Sequence, residues 1–164
     1  MRWRFTLGLM LLLAACVPRA PEGAFRDTSA PIWSAAAFAP DRAGGRWQQV
    51  AAFQSQGGGC AAGGVQVTPA SGGLRIEGSL CLNGTVTRVA GLARPVGPGR
   101  LALPGQADWW VLWVDEGYRT LAIGTPDGSF GFVLDRGPAA ADRLAAAGEV
   151  FDFNGYNLSA LRGF

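Results

Sequence analysis

The sequence predicts an antiparallel all-β fold with one late amphipathic helix packed outside it, and three observations carry that expectation. From Gly44 onward, short apolar stretches are broken every few residues by Gly, Pro or Asn, the punctuation of short strands joined by turns. Residues 109–114, WWVLWV, are apolar on both faces, so this strand needs a core on one side and a cover on the other. Residues 138–153 supply that cover. Pro138 suits a first helical turn, and Ala140, Leu144, Ala147 and Phe151 fall on one stripe.

Composition narrows the chemistry before any element is placed. The 164 residues include no His, and all fourteen basic residues are Arg. Without His there is no imidazole-based nucleophile or metal site, and without Lys no Schiff base. Catalysis would have to run on carboxylates such as Asp108, Asp115 or Glu116, or on Tyr118, and an enzyme is not expected. Charged residues are 16% and there is no basic run, so neither disorder nor nucleic-acid binding is expected. No metal or cofactor is implied.

The first sixteen residues read as an address. Arg2 and Arg4 precede an apolar stretch from Phe5 to about Leu13 that is too short to span a bilayer, the pattern of a secretory signal. Leu13-Ala14-Ala15-Cys16 resembles the bacterial lipobox. That resemblance implies a diacylglycerol thioether on Cys16 and cleavage before it; the alternative is an ordinary signal in which Cys16 follows small residues by chance. Cleavage removes two Arg and leaves the side chains with equal numbers of acidic and basic groups. Attachment must then come from the acyl chains, each buried CH₂ contributing about 0.8 kcal/mol. The expected location is the cell envelope, as an outer-membrane lipoprotein facing the periplasm. The expected organisation is a signal over residues 1–15, a tether over 16–37 and a folded domain over 38–164. Pro18, Pro21, Pro31 and Pro40 mark the stretch from Val17 to about Pro40, but Ile32, Trp33 and Phe38 are too apolar for free chain and are expected to dock on the domain.

The clearest hairpin joins residues 65–68 to residues 74–81. Leu74, Ile76, Gly78 and Leu80 share one face of its second strand. A turn centred on Ala70-Ser71 sets Val67 opposite Leu74 and Val65 opposite Ile76, and extends to set Cys60 opposite Cys81 on the outward face. A disulfide between Cys60 and Cys81 follows for an oxidising compartment. Two free thiols or a redox pair are the alternatives, and a bulge in the loop would move the register by one. Residues 109–114, 120–123 and 130–134 then form a meander, with Asp115 capping backbone N–H groups of its first turn. Alternation is weak between residues 85 and 103.

These residues resemble the lipocalins, specifically the bacterial outer-membrane group. Gly45-Arg46-Trp47 matches the family's G-x-W block. Residues 110–115 with Tyr118 and Arg119 resemble the second block, residues 130–136 resemble the third and end in its Arg, and residues 155–161 resemble the tail after the helix. The resemblance spans about residues 38–161. It implies an eight-stranded antiparallel up-and-down barrel with one C-terminal helix outside, its base closed by Gly45, Trp47 and an Arg136 guanidinium over the indole. Trp47 then points inward, and parity places Gln49, Ala51 and Phe53 inward with it, as it does Ile76 on the hairpin. Likeness to the family's calyx places Trp110, Leu112 and Val114 inward, then Ile123, then Phe130 and Phe132. Trp109, Val111 and Trp113 are left outside as the seat for the helix.

The expected ligand of such an apolar calyx is a fatty acid or lysophospholipid, since burying an acyl chain yields about 25 cal/mol per Å². The candidate cations for its head group are Arg88, Arg94, Arg100 and Arg119. A barrel filled by its own side chains, serving as an envelope scaffold, is the alternative.

Overall fold

The computed structural model describes residues 23–55 and 59–164. After a 3-10 helix at Pro40–Ala43, strands run in chain order: β1 Gly45–Phe53, β2 Gly64–Ala70, β3 Gly73–Leu82, β4 Thr85–Gly97, β5 Arg100–Ala102, β6 Trp109–Val114, β7 Thr120–Gly124 and β8 Gly131–Asp135. Each is antiparallel to the next, and β1 pairs with both β8 and β2, closing an eight-stranded up-and-down barrel. Helix α1, Ala141–Phe153, packs outside. Strand β9, Leu161–Gly163, pairs with the end of β1, beyond the residues that pair with β2. The sequence-expected fold class is the one observed.

The β2–β3 register differs from expectation by two residues. Val67 faces Ile76 and Val65 faces Gly78, because the turn is the two-residue Ser71-Gly72. Gly72 sits at φ 79°, where glycine costs no steric strain. Pro69, expected in the loop, stays in β2; the β1 pairing ends at Val67, so its missing N–H has no partner to lose on that side. A two-residue shift preserves parity, so Val65, Val67, Leu74 and Ile76 still face inward. The Cys60–Cys81 disulfide is present with Cα atoms 5.6 Å apart. It is not a rung of the ladder, since β2 starts only at Gly64. Instead it ties the β1–β2 loop back onto β3. Where β2 has not yet begun, Gln49 replaces it: its amide donates to the Cys81 carbonyl and accepts from the Cys81 N–H, both at 2.8 Å. One glutamine side chain thus satisfies a buried peptide.

Two bulges correct the inward list. In β1 the pairing with β8 slips between Gln49 and Ala51. Trp47 faces the lumen, but beyond the bulge Ala52 takes the inward place, and Ala51 and Phe53 point outward beneath α1. In β6 the slip lies between Val111 and Trp113. Trp109 and Val111 therefore line the lumen, and Trp110 and Leu112 lie outside; past the slip Val114 turns inward and Trp113 outward. A bulge adds one residue to one strand and so exchanges its faces downstream, which strict alternation does not foresee. The weakly patterned 85–103 region contains the longest strand. β4 hides its periodicity because Ala93 and glycines stand among its apolar residues.

The outer core lies between the wall and α1. Phe53, Phe151 and Tyr156 meet with ring centroids 4.8–5.1 Å apart. Gly131 makes room for them: a Cβ there would come within 2.9–3.2 Å of all three rings. Ala140 is the N-cap residue and provides no side-chain cap. The first turn is held by Arg143 instead, which donates to Thr120 Oγ1 at 2.6 Å and to the buried Asp135 carboxylate at 3.1 Å. The chain is already docked at Phe25, whose N–H donates to the Gly128 carbonyl at 2.7 Å. Ile32 joins the outer core and Phe38 the inner one, while Trp33 remains 60% exposed.

Candidate ligand-binding site

The lumen has a plugged end and an open end. At the plugged end the 3-10 helix crosses the barrel, and Trp47 donates its indole N–H to the Ala43 carbonyl at 2.8 Å. Arg136 lies over the Trp47 ring at 4.3 Å, donating to the carbonyls of Tyr118 at 2.6 Å and Arg42 at 3.0 Å. Gly45 admits that guanidinium, since a Cβ there would overlap it. Phe38 stacks on Tyr118, whose hydroxyl accepts the Ala39 N–H at 2.7 Å. The cation–π contact contributes about 0.5–2 kcal/mol and closes the base.

Asp115 organises the turn beside this plug, accepting N–H bonds from Arg119 and Thr120, both at 2.6 Å, and from Gly117 at 3.2 Å. Burial pushes its carboxyl up, but these bonds and the Arg119 guanidinium outweigh it and hold the group below the ordinary carboxylate range. This carboxylate is fully occupied in structure. Burial likewise raises the Tyr156 phenol, keeping it a donor toward the Thr125 and Phe130 carbonyls. Among the described residues no three His, Cys, Asp or Glu side chains come together as a metal site.

From the plug toward the mouth the lining is apolar. Ile76, Ile123, Phe130 and Phe132 lie in the inner core, with Val89, Trp109 and Val111. None of these is more than 8% exposed, and Phe130 and Leu103 are the most accessible. The lumen is therefore closely packed. A 670 Å³ cleft opens elsewhere, on the outer wall between Gln48, Gln66, Glu77 and Ser79. One polar atom breaks the apolar lining. The Trp109 indole N–H, 1% exposed and set edge-on to Phe132 with centroids 5.1 Å apart, finds no acceptor among the described residues. Leaving such a donor unpaired costs about 1–3 kcal/mol.

The proposed head-group arginines do not converge on the mouth. Arg119 is paired with Asp115, and Arg100 lies over Trp110 on the outer wall at 4.0 Å. Arg94 is near the β2–β3 turn at the plugged end, and Arg88 is exposed opposite Ser79. Parity with Trp47 placed Gln49 inward, and it is buried there, whereas sequence reasoning missed Arg26 and Trp109 as buried or inward groups, which only the bulges and the packing reveal. Cys16 and the signal lie outside the described residues.

No protein-family model matches the chain, and no curated protein matches it in sequence. Solved structures do share its shape. Lobster apocrustacyanin A1 is 14% identical with a TM-score of 0.54, covering 82% of this chain and 88% of that one. Apocrustacyanins C1 and C2, at 14% identity and TM-scores of 0.55 and 0.54, each cover 75% of this chain and 77% of theirs. At this identity the likeness is one of fold, and the fold is that of the lipocalins.

Proposed function

We propose that this chain is a lipid-anchored lipocalin of the bacterial envelope, held in the outer membrane through Cys16, that binds a hydrophobic ligand for lipid storage, transport or envelope maintenance. A fatty acid or lysophospholipid is the ligand class. The observation that carries the reading is an apolar lumen with one unpaired donor, Trp109 Nε1, inside it. An acyl chain replaces apolar contact with apolar contact, and a carbonyl oxygen on it satisfies the indole. Entry is from the mouth, where Phe130 and Leu103 are the most exposed lining residues, and requires those side chains to move. The fold and the lipobox-like Leu13-Ala14-Ala15-Cys16 support the setting.

The close packing of the lumen favours a second reading, a filled barrel acting as a scaffold for envelope partners. Native mass spectrometry of the mature chain carrying Cys16→Ala, titrated with fatty acid and lysophospholipid, separates the two. Ligand binding predicts one adduct per chain, weakened up to about tenfold by Trp109→Phe, the worth of one hydrogen bond. A folded chain, judged by near-ultraviolet circular dichroism, that takes up neither ligand would leave the scaffold.

A further inference from the structure

Resting on the lipidated Cys16 proposed above, a second feature bears on how the barrel meets the membrane. The described chain joins the barrel at one corner of its open end. Phe25 is held there between the β7–β8 turn, through the Gly128 carbonyl, and the segment after α1, through the Asn157 N–H at 2.8 Å. Arg26, only 4% exposed, fastens the same corner by donating to the carbonyls of Pro126 at 2.7 Å and Asn154 at 3.1 Å. Cys16 precedes Phe25 by nine residues, which reach about 30 Å at full extension.

That corner also gathers three of the large apolar side chains that face solvent, while Val86, Val96 and Phe164 do so elsewhere. Phe153 is 72% exposed, Trp33 60% and Leu158 39%. Trp33 and Phe153 flank one residue, since the Trp33 N–H donates to Asn154 Oδ1 at 2.6 Å and Phe153 precedes Asn154. Leu158 follows Asn157, the residue bonded to Phe25. Tryptophan with other apolar side chains is the composition that settles at a membrane interface. The exposed charges nearby are Asp27, Asp127, Glu149, Asp152 and Arg162, an acidic surplus that gives anionic lipids no attraction.

We propose that this corner rests on the lipid layer that holds Cys16, with Trp33, Phe153 and Leu158 in its interfacial zone, and that a zwitterionic surface is the partner it fits. The barrel mouth then opens beside the membrane, within the span of the tether. With the plugged end against the membrane, the tether would have to run back along the barrel and the three apolar side chains would stay in water.

The test uses the full, processed lipoprotein in vesicles of phosphatidylcholine and phosphatidylethanolamine with brominated acyl chains, which quench nearby indoles. The expected result is a fall in tryptophan fluorescence relative to unbrominated vesicles. Trp33→Phe should abolish that fall, and 0.5 M salt should leave it in place. A Ser71→Trp probe at the plugged end, in the Trp33→Phe background, should not be quenched. Quenching at that probe, or quenching that survives Trp33→Phe, overturns the orientation, as does an acylated chain showing no quenching. Replacing a third of the lipid with phosphatidylglycerol should not increase quenching; an increase overturns the zwitterionic preference. The mass of the N-terminal peptide is read in the same samples, and a peptide without diacylglycerol overturns the anchor itself and the orientation with it.

Discussion

Individual side chains hold this barrel together at points where backbone pairing alone is insufficient. Arg26 joins the incoming segment, the β7–β8 turn and the end of α1, where a cation also complements the helix dipole. Arg26→Met keeps the aliphatic stem and removes the donors; it should lower unfolding stability by about 2–3 kcal/mol in urea titrations. Asp115 makes a pH-dependent contribution of known sign. Its carboxyl is lowered in the folded state, so its stabilisation is present above the unfolded value of about 4 and fades as pH falls through the native one. Asp115→Asn should destabilise the protein by about 1–3 kcal/mol at pH 7, and the gap from wild type should narrow in urea titrations at pH 3. The turn role of Asp115 was legible in the sequence, because a carboxylate opening D-E-G-Y has backbone N–H groups within reach. That of Arg26 was not, since its acceptors are main-chain carbonyls about 100 and 128 residues away.

Among the elements, local signals gave the β2–β3 hairpin, the meander and the helix, and missed where strands change face. Ile76, Ile123, Phe130 and Phe132 were placed inward by sequence and lie in the inner core. Ala51, Phe53, Trp110 and Leu112 were placed inward too, and lie outside because each of their strands contains or precedes a slip in pairing. β6 is apolar throughout and β1 ends in the apolar run Val50–Phe53, so composition there carries no sign of which face meets the lumen. The helix seat gives a measurable cost: Phe151→Ala removes a fully buried ring between Phe53 and Tyr156 and should destabilise by about 3–5 kcal/mol in thermal or urea unfolding. The disulfide closes a loop of sequence separation 21. Replacing both cysteines by Ala should cost about 3 kcal/mol in the same assay, by enlarging the unfolded ensemble.

For the whole molecule, eight strands, a plugged base and a helix outside follow from resemblance and from apolar pattern together, while the tightness of the lumen does not. Packing depends on rotamers and strand stagger, neither of which a one-letter string records. A ligand that enters this lumen must stabilise the folded chain by mass action. At a hundredfold excess over Kd the gain is about 2.7 kcal/mol, and a rise in Tm that tracks ligand concentration would show it. The slip in β1 has a further consequence for how such a chain can vary through descent. Ala51, Ala52 and Phe53 keep their faces because the pairing with β8 skips the one extra residue between Gln49 and Ala51. Loss of that single residue would bring Ala51 directly after Gln49 in unbroken pairing with Val133 and Leu134, and Phe53 would stay outward in the aromatic bed of the helix. Substitutions along β1 can therefore accumulate one at a time, and the slip itself can lose its extra residue. Loss of a residue beyond it, such as Ala52, would instead turn Phe53 inward and is confined to lineages that rebuild lumen and helix at once.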